Sequence, residues 1–583
     1  MRRIITYILL LCGAVFLQGC VYDSLRPEDC AATADKYYLS VALRSYGDQL
    51  LQTKAGEAQP PYGDAATLSE QLVSTLDLYF YSKAGAYLEK RTATDFEQTA
   101  GVFLVQLTYR PYWMIVTVNS DQDLSRKTLS EARAVIQSGS ASWAEAGRSI
   151  QYQGAAQQVA PLRMTSSTYI NAAGEETCAV PVNAKYLMED ADEARNNPMT
   201  VPLDRLAAKV TLAAPAATSF AVPVATTEQG VLDARVELLG WGLNALNTRS
   251  YLFKKIDPAW TFPTWTVAWN EPSRLRSHWA QDPNYGDPLA SGYDGGAYPA
   301  SVADLQPAGN LAPGDCALEY LSWNQLDAAF GTDSRYCLEN TADGSILATA
   351  RSANQLYPRV THVLVKARLS FGLAAGKTAA DDTDGYCSAG EFFRYGGVFY
   401  TADGMKRTIL SSMQLYTDDA RTQAATPADL DWKALGGERL QPVAAAGVTL
   451  YGDTAALAAL TVDGFKDGQF YYKIPVEHLT PAEQTPGANY PTAQYGVVRN
   501  HNYTISLGSV EGLGTGVWDE TEKIVPVTRE LEYRLSAQVT VSPWKVLEQR
   551  FLFMDPSGMI IPGGQNVDEW DDYDNNQWNG WYE

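Results

Sequence analysis

The stretch "DKYYLSVALRSYGD", residues 35–48, alternates in side-chain character with a period of two. On one face of a strand lie Tyr37, Leu39, Val41 and Leu43, and on the other lie Tyr38, Ser40, Ala42 and Arg44. Such alternation predicts a β-strand with a buried apolar face. The apolar run ends at a basic residue, Arg44, so the question is whether the mature protein retains this strand.

The same β signal recurs along the chain in runs rich in β-branched and aromatic residues and bounded by Gly, Pro, Asn or Asp. The runs are LDLYFYS (76–82), FLVQLTY (103–109), YWMIVTVN (112–119), LAAKVTLAA (206–214), THVLVKARLSF (361–371), GQFYYKIPV (468–476) and NYTISLGSV (502–510). Helical signal is sparse: TLSEARAVIQS (128–138) is the better candidate and SWNQLDAAF (322–330) a shorter one. We therefore predict an all-β protein of sandwich type with a few short helical insertions.

The composition supports a globular protein and excludes one class of partner. Of the 583 residues, 46% are hydrophobic and 11% aromatic, and the net charge is −22 with a pI near 4.7. A protein this acidic repels polyanions, so we expect no nucleic-acid partner. A chain of this length exceeds one ordinary core and is expected to form several units.

The first 20 residues read as an export signal. Arg2 and Arg3 precede the apolar run Ile4–Phe16, which is too short to span a bilayer, and LQGC (17–20) then resembles a bacterial lipobox. We expect lipidation at Cys20 and attachment of the precursor to the outer membrane. The alternative is a plain secretory signal with an incidental cysteine.

No pattern of catalysis or metal binding emerges. The four His residues form no HExxH motif, GxSxG is absent, and the cysteines form no CxxC pair. We expect no catalytic residue, no metal and no cofactor. The pairing of Cys30, Cys178, Cys316, Cys337 and Cys387 cannot be read from spacing, so disulfides stay open. The aromatic run WTFPTWTVAW (260–269) suits core packing, with carbohydrate stacking as the alternative.

Several segments, in order along the chain, together resemble the Bacteroidales-type fimbrillins, the structural subunits of type V pili, and in particular the short or minor fimbria branch. They are VPLDRLAAKVTL (201–212), GWGLNALNTRSYL (240–252), RSHWAQDPNY (276–285), YCLENT (336–341), GGVFYT (396–401), YGVVRNHNYTISLGSVEGLGT (495–515) and LSAQVTVSPWKVLEQ (535–549). The resemblance implies two transthyretin-like β-sandwich domains in tandem and no enzymatic activity.

The polar segment EDADEARNNPMTVP (189–202) indicates a domain boundary, and together with the resemblance it predicts the organisation of the chain. The segments are a signal peptide (1–20), a propeptide including the first strand (21–54), an N-terminal sandwich (55–200), a C-terminal sandwich with an aromatic-rich insertion (201–532), a donor strand (533–552) and an acidic tail (553–583). In such subunits an Arg- or Lys-specific protease removes an early strand. A C-terminal strand of a neighbouring subunit then fills the groove.

The residues permit that mechanism. The removable strand would be Tyr37, Leu39, Val41 and Leu43, and a donor of matching period is formed by Tyr533, Leu535, Ala537, Val539 and Val541. Two cut sites stay open, because Arg44 suits an Arg-specific enzyme whereas Lys54 lies deeper in a Gly- and Pro-rich loop. For the C-terminal strand the alternative is that it completes its own sheet. Pro543 is expected to mark an edge or a break.

The expected partners are other copies of this chain, related fimbrial subunits, outer-membrane lipid through Cys20, the processing protease and a surface receptor. The expected location is the outer membrane and then the cell-surface fimbrium, where the subunit would support adhesion. The anchor-like start CVYDSLRPEDC (20–30) keeps an alternative open, namely a non-polymerising pilus anchor, tip adhesin or glycan-binding lipoprotein.

Overall fold

A computed structural model describes much of the chain between Lys36 and Phe553, with gaps. The described residues are 36–45, 70, 72–92, 97–99, 102–138, 148–152, 155–159, 161–170, 175–256, 280–283, 318–341, 361–476, 478, 496–510, 512–524, 535–543 and 552–553. The signal peptide, Cys20, Cys30, Lys54, the 260–269 run, Cys316, Tyr533 and the tail beyond Phe553 lie outside them.

The first β region is formed by strands from the N-terminal third of the chain. They are β1 (Tyr37–Ser45), β2 (Leu72–Val73), β3 (Leu76–Tyr81), β4 (Tyr87–Thr92), β5 (Glu97–Thr99), β6 (Val102–Leu107), β7 (Trp113–Val118), β8 (Ile136–Ser138), β9 (Arg148–Tyr152), β10 (Ala155–Val159), β11 (Met164–Ser166), β12 (Tyr169–Ile170), β13 (Glu176–Thr177), β14 (Val180–Pro181) and β15 (Met199–Arg205).

The second β region contains the remaining strands. They are β16 (Ala207–Leu212), β17 (Ser219–Val222), β18 (Ala225–Thr226), β19 (Leu232–Asn244), β20 (Leu246–Asn247), β21 (Arg249–Tyr251), β22 (Leu318–Glu319), β23 (Ser334–Leu338), β24 (Asn340–Thr341), β25 (His362–Leu373), β26 (Glu391–Tyr395), β27 (Val398–Thr401), β28 (Leu415–Tyr416), β29 (Leu430–Gly436), β30 (Arg439–Ala444), β31 (Tyr451–Gly452), β32 (Val462–Lys466), β33 (Gln469–Pro475), β34 (Gly496–Val497), β35 (His501–Val510), β36 (Thr515–Gly516), β37 (Leu535–Pro543) and β38 (Leu552–Phe553).

The helices are short and peripheral to the sheets. Those in the described residues are α1 (Leu129–Arg133), α2 (Ala191–Arg195), α3 (Ala402–Ser412) and α4 (Thr454–Ala459), with 3₁₀ turns at Ala184–Tyr186, Trp323–Gln325, Tyr386–Ser388 and Pro427–Asp429. Among the described residues, no helix combines the length and apolar character needed to cross a membrane. The prediction of an all-β protein with a few short helices is confirmed.

The first region is built on one nine-stranded sheet. Its strand order is β4-β3-β7-β11-β15-β1-β6-β5, and β14 pairs with β7. Side chains from strands far apart on this path, such as Leu78 of β3 and Val105 of β6, belong to one buried core. One face of each major strand of this sheet therefore contributes side chains to a single core.

The second region packs two sheets face to face. A four-stranded sheet (β23-β16-β35-β37) and a five-stranded sheet (β17-β19-β25-β33-β36) share one buried core. Val210 and Tyr503 come from the first of these sheets, and Val236, Val365 and Phe470 come from the second. A third sheet, β18-β27-β26-β32-β30-β29, packs against α3 and α4 through a smaller core.

Two sequence predictions on local structure are corrected by the fold. The helix predicted over 128–138 covers only Leu129–Arg133, although its Thr128–Glu131 capping box is present. Residues Ile136–Ser138 instead form a strand that pairs with β21. The helix predicted over 322–330 is a single 3₁₀ turn, Trp323–Gln325. In both cases distant strand or loop contacts override local propensity.

The boundary drawn between residues 200 and 201 falls inside a strand. β15 runs continuously from Met199 to Arg205 and pairs with β1 and β11 of the first sheet. The polar segment before it contains α2, which begins after the N-cap Asp190. The first sheet therefore extends through Arg205, and the chain enters the second region with β16 at Ala207.

Two buried ion pairs lie in the core of the protein, one within the second region and one between the two regions. The Arg499 guanidinium is fully buried and lies 2.7 Å from Glu339 Oε2, and it donates to the carbonyl oxygens of Tyr251 and Leu252 at 2.7 and 3.0 Å. Beside the first sheet, Glu70 Oε1 lies 3.1 Å from Lys209 Nζ. Buried ion pairs fix geometry more than they add stability, because both charges lose their hydration.

Candidate strand-exchange site

The first candidate element, β1, lies in the middle of its sheet. It pairs in antiparallel fashion with β6, with Tyr37 opposite Leu107, and in parallel with β15, with Val41 opposite Met199. The parallel pairing does not reach Tyr38, whose N–H donates to Met188 O at 2.7 Å while Met188 N–H donates back at 3.0 Å. β1 is therefore hydrogen-bonded along both edges.

The predicted removable face of β1 is a core face. Leu39 and Val41 are fully buried and Leu43 is 8% exposed, while Tyr37 packs against the same core with partial exposure. The opposite face is partly covered, because Ser40 is buried while Tyr38 and Ala42 are partly exposed, and α2 lies against both β1 and β6. Taking β1 out would uncover apolar side chains of β6 and β15 along the whole slot.

The two candidate cut sites differ in backbone setting. The Arg44 backbone still belongs to β1 and is paired with Pro202, and the next residue, Ser45, is paired with Leu203. A protease needs an extended, unpaired segment, so cutting after Arg44 requires the end of β1 to open first. Lys54 lies in the segment 46–69, outside the described residues.

The second candidate element, β37, is an edge strand in this chain. It pairs with β35 in antiparallel fashion, from Leu535 opposite Val510 to Pro543 opposite His501, and no further strand of the described residues lies beyond it. Of the predicted donor side chains, Ala537 is exposed and Val539 is partly buried against the second core. The strand ends at Pro543, in agreement with an edge position.

The chain continues from β37 back to the first region. Leu552 and Phe553 of β38 pair in parallel with Leu72 and Val73 of β2, both of which are buried. Asn119 fixes this corner, because its side-chain amide donates to Leu72 O at 2.7 Å and its side-chain oxygen accepts from Ser74 N at 2.7 Å. The C-terminal segment thus touches both regions of its own chain.

A buried histidine pair lies where β35 meets the end of β37. The rings of His478 and His501 are 5.1 Å apart between centroids, and His478 Nδ1 lies 2.8 Å from the Tyr503 hydroxyl. Burial, and then the positive charge of Lys254, lowers the pKa of His501 to about 3. This imidazole is therefore neutral at physiological pH.

The other chemically notable side chains of the described residues are candidate metal ligands and thiols. Among them, no cluster of three or more His, Cys, Asp or Glu side chains is placed to hold a metal ion. Cys178 and Cys337 are buried and Cys387 is exposed, and these three do not pair with one another. Burial raises the pKa of each buried thiol to about 12, which keeps both thiols protonated.

Sequence reasoning missed the walls of the β1 slot. The strand pattern of FLVQLTY was recognised, but its pairing with β1 was not, and β15 was divided by the proposed domain boundary. It also missed Glu89 and Arg91 of β4, which contact the end of β6. The only local signal for these two is a pair of opposite charges two residues apart in a strand, which puts them on one face.

The last quarter of the second region is similar to a known protein family. Residues 463–550, which include β33, β35 and β37, match the family model described as major fimbrial subunit protein type IV, fimbrillin, C-terminal. The resemblance to fimbrillins is thereby confirmed, and residues 463–550 are similar to the C-terminal region of these pilus subunits. No curated protein matches the chain.

Several solved structures are similar to the chain at low sequence identity. A fimbrilin (fimA) from Porphyromonas gingivalis is 15% identical, with 88% of this chain and 98% of that chain covered and a TM-score of 0.37. A putative cell adhesion protein from Parabacteroides distasonis is 14% identical, with 88% and 100% covered and a TM-score of 0.37. The tip fimbrial protein Mfa3 from P. gingivalis is 10% identical, with 87% and 100% covered and a TM-score of 0.32.

Proposed function

We propose that this chain is a structural subunit of a cell-surface fimbria of the short-fimbria type, supporting adhesion. It is exported as a lipoprotein precursor attached through Cys20, trimmed after Arg44 or Lys54 and polymerised by donor-strand exchange. The class of protein is supported by the fimbrillin C-terminal match over residues 463–550. The processing and exchange steps rest on the two candidate strands.

The observation that carries this proposal is the setting of β1. A strand inserted between β6 and β15, with Leu39 and Val41 in the core, leaves a slot of matching shape when it departs. That slot offers unpaired backbone groups on β6 and β15 and an exposed apolar surface of core side chains. These are the two requirements for binding an extended strand. The apolar period of β37 matches that of β1.

The direct test is limited proteolysis of the purified precursor with a trypsin-like protease. We expect trimming near Arg44 or Lys54, followed by high-order ladders on denaturing gels, because an inserted strand dissociates slowly. A double variant, Arg44→Ala with Lys54→Ala, is the matched control; it has no basic residue left between Leu43 and Leu72, so it should not be cut there and should remain monomeric. A wild-type chain that is fully trimmed yet stays monomeric would contradict the proposal.

A second candidate is a non-polymerising anchor, tip adhesin or glycan-binding lipoprotein. It is favoured by the seating of the C-terminal segment on its own chain, through β37 on β35 and β38 on β2. Deletion of residues 533–583 separates the two candidates. A trimmed deletion variant that cannot extend a polymer supports the fimbrial subunit, whereas normal polymers without this segment support the second candidate.

A further inference from the structure

We propose that Glu89 and Arg91 of β4 are positioning residues that hold β6 in place when β1 leaves, so that the slot stays open for an incoming strand. This inference rests on the proposed function, because it concerns the state after trimming. The two side chains bind the part of the outer edge of β6 that no described strand pairs with.

The two edges of β6 are satisfied in different ways. Its inner edge pairs with β1 from Val102 to Leu107. On its outer edge β5 pairs only with residues 102–104, so the described strands leave the other half of that edge unpaired. The Gln106 carbonyl and the amides of Thr108 and Tyr109 lie beyond the reach of β5.

Side chains of β4 complete that outer edge. Glu89 Oε1 accepts hydrogen bonds from the backbone N–H groups of Thr108 and Tyr109, both at 2.9 Å. Arg91 Nε donates to Gln106 O at 2.9 Å, and Arg91 Nη2 donates to Thr108 Oγ1 at 3.1 Å. Two charged groups therefore supply the hydrogen bonds that a neighbouring strand would otherwise supply.

Glu89 and Arg91 also pair with each other, and they are partly removed from water, with the Arg91 side chain 25% exposed. Arg91 Nη2 lies 2.5 Å from Glu89 Oε2, and the Glu89 side chain is 8% exposed. Partial burial strengthens such hydrogen bonds relative to fully hydrated ones. Each side chain thus limits the freedom of the other while both bind β6.

These contacts do not depend on β1. β4 pairs with β3, and neither Glu89 nor Arg91 is hydrogen-bonded to β1 in the described residues. The opposite wall differs, because β11 pairs only with residues 203–205 of β15, and Met199 and Val201 have their strand partner in β1. After trimming, β6 is therefore the fixed wall of the slot and the start of β15 is the adaptable one.

The test compares the variants Glu89→Ala, Glu89→Gln and Arg91→Ala with Lys90→Ala. Lys90 lies between the two residues on β4 but pairs with Asp77 instead of β6, so its variant controls for disturbance of the strand. For each full-length precursor three quantities are measured: the melting temperature before cutting, the rate of trimming, and the rate of ladder formation after complete trimming.

We expect Glu89→Ala and Arg91→Ala to be trimmed normally but to form ladders about tenfold more slowly, since each loses charge-assisted hydrogen bonds to β6. Glu89→Gln keeps an acceptor oxygen and should recover part of the rate. Lys90→Ala should assemble like the wild type.

Ladder formation at the Lys90→Ala rate in both alanine variants would overturn the inference. If Glu89→Ala does not fold, then Glu89→Gln and Arg91→Ala decide the matter by the same comparison. A wild-type chain that is trimmed but forms no ladder refutes the proposed function instead, so the two failures are distinguishable.

Discussion

The two strands proposed to change places, β1 and β37, differ sharply in how their own chain holds them. β1 is paired on both edges, and its face carrying Leu39, Val41 and Leu43 is buried in the core. β37 is paired on one edge, with Ala537 exposed and Val539 only partly buried. The strand that must leave is thus the better held, whereas the strand that would be donated is the more weakly held.

This difference explains why a covalent cut would be needed at one end of the chain and not at the other. An edge strand can separate from its sheet by losing one ladder of hydrogen bonds, and such local opening is common at sheet edges. A central strand loses two ladders and its core contacts together, so it leaves only when its connection to the rest of the chain is broken.

The largest effect is expected from truncation of β1. Replacing the fully buried Leu39 by Ala should lower the free energy of unfolding of the first region by about 2–5 kcal/mol, because it removes core contacts and leaves a cavity. Urea unfolding of the uncut precursor, followed by hydrogen exchange in β6, measures this loss. A change below about 0.5 kcal/mol would mean that β1 is not part of the core.

An intermediate effect is expected from acid, which should lower the stability of β35 and of its neighbour β37. His501 has a pKa lowered to about 3 in the folded chain, against about 6.5 when unfolded, so the unfolded chain binds an extra proton between these values. His501 therefore leaves the free energy of unfolding unchanged above about pH 6.5. As the pH drops from there towards 3, it lowers that free energy by about 1.4 kcal/mol per pH unit. Hydrogen exchange in β35 at pH 7 and pH 5, corrected for intrinsic rates, reports the loss.

The control for the acid effect is His501→Gln, which removes the titrating group. Its β35 amides should show a flatter dependence on pH over the same window. Equal acid sensitivity of β1 and β35 in the wild type would indicate a general loss of stability and would remove the histidine from the explanation.

The smallest effect is expected from Val539→Ala on β37. Because Val539 is only partly buried on an edge strand, the substitution should change the free energy of unfolding by less than about 1 kcal/mol. The same urea and hydrogen-exchange measurements apply, read in β35. A loss as large as that of Leu39→Ala would show that β37 is held as firmly as β1 and would abolish the contrast.

The local pattern of side chains was enough to predict eight of the strands, including β1 and its neighbour β6. The runs at 76–82, 103–109, 112–119, 206–214, 361–371, 468–476 and 502–510 each contain a strand with bounds shifted by one or two residues. The face of β1 carrying Leu39 and Val41 was also assigned correctly, since the two-residue period fixes which side chains share a face.

Pairing and helix length could not be predicted, because they depend on residues far away in the chain. Ile136–Ser138 is helical by local pattern but pairs with Arg249–Tyr251, more than a hundred residues later. The helix Ala402–Ser412 was missed, since Gly404 lies inside its first turn and weakens the local signal. Likewise the roles of Glu89 and Arg91 appear only when β4 and β6 are placed side by side.

The buried Arg499 has a mechanical consequence. Its guanidinium binds Glu339 and the carbonyl oxygens of Tyr251 and Leu252 at once, in a setting with no measurable exposure of the side chain. A pull that separated these segments would leave charged groups buried and unpaired, which is far more costly than breaking the same contacts in water. Under tension along the chain, these contacts would therefore resist separation and then break together in one step, without gradual extension.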